Sequence, residues 1–248
     1  MNSEKIVRTT DISEAYSTYI SDEHAVLMAG GVFLKLQKRS VPVIVDLSLL
    51  ALDYIDVKHD AIYIGAMATL RDIETNEHVP TAVRQSVEQV AGVGLRNLAT
   101  VGGSVCGQYP FSDITTALLA LDAQLKFHNE GIISLEAYLK NHVPKRDILL
   151  EVILPMGVDS CFKCFKQVYT DFSLINVAVA SDGNWRIAIG ARPGGPVLIT
   201  AQSLKDHQLE SLIDTIAFGS DSRASDEYRK SLATLFIKEA IEEVASWK

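Results

Sequence analysis

The sequence predicts an α+β fold in which a two-part N-terminal region precedes a smaller C-terminal domain of antiparallel strands packed with helices. In the first fifty residues, apolar strand-like runs alternate with helical segments, which favours a small parallel sheet. From about Cys161, strand-like runs follow one another with only short connections, a pattern typical of antiparallel strands. We therefore expect an N-terminal domain at 1–158, divided into 1–52 and 53–158, and a C-terminal domain at 159–248.

Local patterns assign the elements in order along the N-terminal region. KIVRTT, HAVLMAGG and VPVIVDL are predicted strands, and DISEAYSTYI and FLKLQKR are predicted helices, with Asp11 near the start of the first. Two short strands are expected between Tyr54 and Gly65, followed by helices at TLRDIETN and around 80–91. Ser112 can cap a further helix, and strands are expected near 123–128, 131–134 and 147–154.

The C-terminal domain is predicted to begin with a meander. CFKCFKQVY, INVAVAS and WRIAIGA are its strands, with a turn at Asp182 and Gly183. Two helical segments are expected beyond ARPGGPV. The last should start near Ser225 and direct these side chains to the core: Tyr228, Leu232, Leu235, Ile241 and Val244.

Composition and charge limit the possible functions. The net charge of −8 and the lack of a Lys/Arg-rich run argue against nucleic-acid binding. The N-terminus lacks the features of a signal peptide, and no apolar run approaches membrane-spanning length, so we expect a cytoplasmic protein.

The three cysteines are too few for a disulfide framework. Cys161 and Cys164 form a C-x-x-C, but residues three apart on a strand point to opposite faces. They are therefore predicted to be structural thiols rather than a redox or metal pair, and no metal site is expected.

Two glycine segments indicate a ligand that approaches the backbone closely. AGGVF at 29–33 and TVGG at 100–103 can each present bare N–H groups as a concave nest for an anion. Two nests could hold one pyrophosphate from both sides, although either segment could be only a tight turn. The chain has no P-loop motif, and the Gly92-Val93-Gly94 run does not complete G-x-G-x-x-G, because Asn97 occupies the third position.

The run LRNLATVGGSVCGQYPFSDITTALLALDA (95–123), with AGGVF, FKCFKQ (162–167) and SDSRASDEYRKSLA (220–233), resembles the FAD-binding subunit of the molybdopterin hydroxylases. That family includes xanthine dehydrogenase and carbon monoxide dehydrogenase. The resemblance implies that FAD is the cofactor and that the N-terminal region is a two-part FAD-binding domain of the vanillyl-alcohol-oxidase/PCMH type.

The resemblance also implies which residues contact FAD: Ala29, Gly30, Gly31, Val32, Phe33, Thr100, Val101, Gly102, Gly103, Ser104, Gly107, Asp113, Leu150 and Lys166. Lys166 would lie near the flavin, where a cation stabilises negative charge on the reduced ring, although a solvated strand lysine is an equally good interpretation. Val32 and Phe33 stand where the family has a hydroxyl or imidazole side chain and then a polar residue. We therefore expect FAD binding to be weaker than usual in the family.

By the same resemblance, the chain carries electrons and supplies no catalytic acid or base. Molybdenum in a large subunit would oxidise the substrate, and [2Fe–2S] clusters in a small subunit would pass the electrons to FAD, which would reduce NAD⁺ or another acceptor. Two alternatives stay open: a self-contained FAD-dependent oxidoreductase of the same fold, and a non-catalytic assembly subunit without flavin. The altered loop at Val32 and Phe33 favours the second of these.

Overall fold

The computed structural model describes residues 2–38, 40–141, 146–202 and 206–247. Its first sheet is three-stranded and parallel, in the order β1-β3-β2. The strands are β1 (Asn2–Arg8), β2 (Val26–Met28) and β3 (Ser40–Asp46), and they are connected by the helices α1 (Ile12–Ser21) and α2 (Val32–Leu36). Asp11 caps α1 by accepting a hydrogen bond from the Ser13 N–H at 2.8 Å. The predicted parallel sheet is confirmed.

The second sheet is antiparallel, in the order β4-β5-β8-β6-β7. Its strands are β4 (Ile55–Lys58), β5 (Ala61–Gly65), β6 (Gln124–Phe127), β7 (Gly131–Ser134) and β8 (Leu149–Pro155). The helices of this region are α3 (Leu70–Thr75), α4 (Thr81–Glu88), α5 (Val93–Arg96), α6 (Val101–Cys106), α7 (Asp113–Ala120) and α8 (Leu135–Asn141).

Side-chain caps explain where two of these helices begin. The Ser112 hydroxyl accepts from the Thr115 N–H at 3.3 Å, as predicted for α7. The second glycine segment, predicted as a loop, is instead the first turn of α6, because the Thr100 hydroxyl accepts from the Gly103 N–H at 3.1 Å. Adjacent glycines have low helix propensity, which conceals this helix in the sequence.

The third sheet is antiparallel, in the order β12-β11-β10-β9. It comprises β9 (Asp159–Phe165), β10 (Ile175–Ser181), β11 (Trp185–Gly190) and β12 (Val197–Ala201), followed by the helices α9 (Asp206–Asp214) and α10 (Asp226–Ser246). Strand β12 lies where the sequence predicted only helical segments. Its five residues are too few to establish a period, and its pairing with β11 defines it. Within the described ranges, each helix is too short or too polar to cross a lipid bilayer.

Strand β10 lies at the centre of the third sheet and is buried along its whole length. Val177 and Val179 pack toward α9 and α10, whereas Ala178 and Ala180 share a core with the second sheet and its helices. Cys161 and Cys164 likewise belong to these two different cores, so the prediction that they point to opposite faces is confirmed. The domain division stays a prediction, because the third sheet contributes to the core of the second.

Of the five side chains that the sequence directed to the core from the C-terminal helix, Leu232, Ile241 and Val244 do pack into it. Tyr228 and Leu235 are 45% and 50% exposed, so their assignment to the core is wrong. The fully buried positions are Arg229, Ala233, Ile237, Ala240 and Val244, a stripe at helical spacing that small residues and one arginine conceal.

Arg229 is the largest fully buried side chain in the described residues. Its guanidinium donates to the carbonyl oxygens of Leu174 at 2.5 Å and Ala191 at 2.8 Å, and to the carboxylate of Asp221 at 2.5 Å. Arg229 therefore joins α10 to the ends of β10 and β11 and to the segment that precedes the helix. Although burial opposes ionisation, hydrogen bonds from the Arg223 and Ala224 N–H groups outweigh it and hold the pKa of Asp221 at about 2.

We expect Arg229→Leu to lower the free energy of unfolding by about 3 kcal/mol, because it leaves two buried carbonyl groups without their donor. Urea denaturation followed by circular dichroism measures the change. Arg223→Leu is the matched control, because Arg223 also contacts Asp221 but is 31% exposed, and it should cost under about 1 kcal/mol. Equal losses in the two variants would contradict a special role for Arg229.

Candidate cofactor-binding cleft

A cleft of about 550 Å³ lies where the three sheets meet, a volume in the range of ligand sites. The first sheet contributes the segment 29–37, the second contributes the surroundings of α6 and the start of α7, and the third contributes Lys166 and the segment 170–172. Twelve of the fourteen residues predicted to contact FAD line this cleft: Ala29, Gly30, Gly31, Val32, Phe33, Thr100, Gly102, Gly103, Ser104, Gly107, Asp113 and Lys166.

Val101 and Leu150 do not line the cleft. The Val101 side chain is fully buried in the core beneath α6. Leu150 packs beside Ile148 in the small core of the first sheet, and its neighbour Leu149 faces the cleft instead. Alternation of side chains along β8 gives this result, since successive residues of a strand point to opposite faces.

The first glycine segment presents backbone N–H groups at the start of α2. Gly31 adopts a left-handed conformation with φ of 71°, and a Cβ on Gly30 would overlap the carbonyl oxygen of Leu98, so both positions require glycine. No side chain caps α2, and the Lys35 N–H donates the first helical bond, to Gly31 O at 3.0 Å. The N–H groups ahead of Lys35 are therefore positioned to bind an anion.

The second glycine segment offers space rather than N–H groups. The Val101 and Gly102 N–H groups donate to the carbonyls of Ala68 and Ala66, both at 2.9 Å, and the Gly103 N–H donates to the Thr100 hydroxyl. The prediction of a second open nest is wrong, because α6 is anchored through these same groups. A Cβ on Gly103 would meet only the Thr100 hydroxyl, at 3.1 Å, so this residue presents bare backbone to the cleft.

A buried ion pair supplies the charge in the cleft. The Lys166 ammonium lies 3.1 Å from Asp113 Oδ2, and each side chain is 5% exposed. Lys166 also donates to the Gln89 carbonyl at 3.0 Å, at the C-terminal end of α4. The cation thus lies between the negative end of one helix and a carboxylate at the start of another. The interpretation of Lys166 as a solvated strand lysine is wrong.

Two residues that the sequence did not indicate fix the orientation of Asp113. Its Oδ1 accepts hydrogen bonds from Ser173 Oγ and Asn176 Nδ2, both at 2.6 Å. Both donors lie on or just before β10, about sixty positions along the chain from Asp113, and no local pattern marks them. Three aromatic residues that line the cleft were also missed: Tyr109, Phe111 and Phe172.

The Cys106 thiol also faces the cleft. Although the residue is exposed to the cleft, desolvation by the surrounding protein raises the pKa of its thiol to about 11, against an opposing hydrogen bond with Tyr138. The thiol is therefore protonated at neutral pH and is not activated as a nucleophile.

An uncapped helix start, bare backbone at Gly103 and a buried cation together define a cleft suited to an anionic dinucleotide. Comparison with known proteins identifies the family. Residues 2–157 match the FAD binding domain in molybdopterin dehydrogenase, and the chain belongs to this family. Its cofactor is FAD, and the chain is an oxidoreductase subunit of the xanthine dehydrogenase family.

Similarity to named relatives extends over nearly the whole chain. The chain is 26% identical to the xanthine dehydrogenase FAD-binding subunit of Escherichia coli O157:H7 over an alignment of 278 positions, gaps included. This alignment covers 96% of this chain and 95% of the relative. It is 24% identical to the glyceraldehyde dehydrogenase medium chain of Sulfolobus acidocaldarius over an alignment of 273 positions, which covers 96% of this chain and 97% of the relative. A chain of the reconstituted CO dehydrogenase from Oligotropha carboxidovorans has the same mixed α/β fold, with a TM-score of 0.87, 20% identity and coverage of 99% and 98%.

We expect Gly103→Val to weaken FAD binding by about tenfold or more, because its side chain would project into the cleft. Gly94→Val is the matched control, since a Cβ there meets no atom within 4 Å and Gly94 is not among the residues lining the cleft. Cys164→Ser should also leave affinity nearly unchanged. Fluorescence titration of the flavin-free protein measures all three variants. Equal FAD affinity in folded wild type and Gly103→Val would place the cofactor elsewhere.

Proposed function

We propose that this chain is the FAD-carrying electron-transfer subunit of a multi-subunit molybdenum hydroxylase. A large molybdopterin-binding subunit supplies electrons to [2Fe–2S] clusters in a small subunit. This chain accepts the electrons from those clusters and passes them to NAD⁺ or another acceptor. FAD lies in the cleft described above, against the residues carried over by resemblance, in a two-part domain of the PCMH type.

The observation that carries this proposal is an exposed apolar rim around the cleft. We define the rim by five side chains whose exposed fractions lie between 45% and 73%: Leu36, Leu98, Val168, Tyr169 and Phe172. Leu36 and Phe172 line the cleft themselves, and the others lie within two positions of a lining residue. Large apolar side chains that are exposed beside a cleft offer a surface on which another protein can dock.

The cysteine content supports an external electron source. A [2Fe–2S] cluster is held by four thiolates in its common form, and the chain as given contains three cysteines. Two of these, Cys161 and Cys164, belong to different cores. The proposal therefore places the clusters outside this chain, at the apolar rim.

Each part of the cleft has a defined task toward the cofactor. FAD, when bound, supplies one-electron and two-electron transfer. The N–H groups at the start of α2 bind its pyrophosphate, and bare backbone at Gly103 lets the phosphates approach. The Lys166 ammonium provides positive charge where negative charge increases on reduction, and Asp113 holds that ammonium in place.

We expect Lys166→Met to lower the midpoint potential of bound FAD by about 30 mV or more, which is about 1.4 kcal/mol for a two-electron couple. The reason is that the variant removes a buried cation and leaves the Asp113 carboxylate unpaired. Lys163→Met is the control, because Lys163 pairs with Glu243 outside the set of cleft-lining residues. Spectroelectrochemical titration measures both potentials. An unchanged or higher potential in Lys166→Met would contradict the role given to Lys166.

The subunit function is tested by anaerobic flavin reduction in two preparations. Purification from the native cell should yield a complex in which a reducing organic substrate bleaches the flavin of this chain. The isolated chain, loaded with FAD, should be inert toward the same substrate, because it lacks the sites that oxidise the substrate and relay its electrons. Rapid bleaching of the isolated chain would favour a self-contained flavoenzyme, and failure to bind FAD would favour a non-catalytic assembly subunit.

A further inference from the structure

Four aromatic side chains from three segments form one continuous surface of the cleft, which we call the aromatic wall: Phe33, Tyr109, Phe111 and Phe172. Phe33 belongs to α2, Tyr109 and Phe111 lie between α6 and α7, and Phe172 lies between β9 and β10. The ring centroids are 4.5 Å apart for Phe33 and Tyr109, 5.5 Å for Tyr109 and Phe111, and 4.0 Å for Phe111 and Phe172.

The aromatic wall is not explained by packing of the protein core. Its rings are only partly buried, and Phe172 is 45% exposed. The stacked pair of Phe127 and Tyr138 shows the ordinary core arrangement, since each of those side chains is 2% exposed. Apolar rings that line an open cleft offer a surface for a bound planar group, because aromatic rings stack favourably on one another.

The aromatic wall extends from the start of α2 at one end of the cleft to the surroundings of Asp113 at the other. At one end, Phe33 lies in the first turn of α2, next to the N–H groups positioned for an anion. At the other end, Phe111 precedes Asp113 by two positions, and Phe172 is adjacent to Ser173, which donates to Asp113. The wall therefore extends from the first glycine segment to the residues that surround the ion pair.

The side chains of the first glycine segment are suited to stacking rather than to hydrogen bonding. Val32 and Phe33 offer no side-chain hydrogen bond to a phosphate, whereas the Phe33 ring lies in contact with Tyr109. A stacking contact with a planar heterocycle can contribute as much as the missing hydrogen bond, since such contacts change affinity by roughly fivefold to a hundredfold.

We propose that the aromatic wall stacks against a planar heterocycle of bound FAD. The inference rests on FAD as the cofactor and adds specific residues to its site. The isoalloxazine and adenine rings share the chemistry that the wall recognises, and the experiment distinguishes them.

FAD affinity of variants measures the contribution of the wall. Tyr109→Leu should weaken FAD binding about tenfold. Tyr228→Leu is the control, because it makes the same change on α10, outside the cleft-lining residues, and it should bind FAD as the wild type does. Phe172→Leu is a second variant, and because its side chain is 45% exposed we expect it to fold as the wild type does. Circular dichroism verifies folding.

Coupling between wall residues provides a further criterion. Phe33 and Tyr109 are in contact, so the double variant Phe33→Leu/Tyr109→Leu should weaken binding by a factor that differs from the product of the single effects. Purely independent effects on FAD affinity would contradict a shared stacking surface.

Two partial ligands identify the stacked ring. If Tyr109→Leu weakens riboflavin binding but not ADP binding, the wall stacks the isoalloxazine; the reverse result assigns it to adenine. Unchanged affinity for FAD, riboflavin and ADP in both Tyr109→Leu and Phe172→Leu would overturn the inference while FAD binding by the wild type still supported the cofactor site. A wild-type protein that binds no FAD would overturn both.

Discussion

The buried ion pair between Lys166 and Asp113 is the contact on which the cleft depends. It joins the start of α7, beside the second sheet, to the residue that follows β9 in the third sheet. Removing two charges from water is costly, and such a pair persists only where further polar contacts satisfy both partners. Here Ser173 and Asn176 donate to the carboxylate, and the Gln89 carbonyl accepts from the ammonium. The same contacts therefore fix both the positions of the Lys166 and Asp113 side chains and the placement of their charges in the cleft.

The two glycine segments solve different physical problems, although they look alike in sequence. At Gly30 and Gly31 the missing side chains permit a close backbone approach and a left-handed turn at the start of α2, which no side chain caps. In α6 the first N–H groups are used to attach the helix to Ala66 and Ala68. The first segment thus shapes a turn at an uncapped helix start, and the second allows close packing of α6 against Ala66 and Ala68.

Features that depend on neighbouring residues were predictable, and features that depend on distant ones were not. The cap residues Asp11 and Ser112 act on N–H groups two or three positions away, so local patterns revealed them. Twelve of the residues implied by resemblance line one cleft, because the motifs that carry the resemblance are contiguous. Ser173 and Asn176 acquire their role only when β10 is brought against α7. Strand β12 depends in the same way on pairing with β11, and the buried face of α10 depends on the sheet beneath it.

Burial of Arg229 connects the C-terminal helix mechanically to the cofactor cleft. Its guanidinium donates a hydrogen bond to the carbonyl of Leu174. Leu174 lies in sequence between Ser173 and Asn176, the two residues that donate to Asp113. None of the described residues of α10 is among those that line the cleft. Through Arg229, the last helix is nevertheless linked by a hydrogen bond to the backbone that carries the two donors of Asp113.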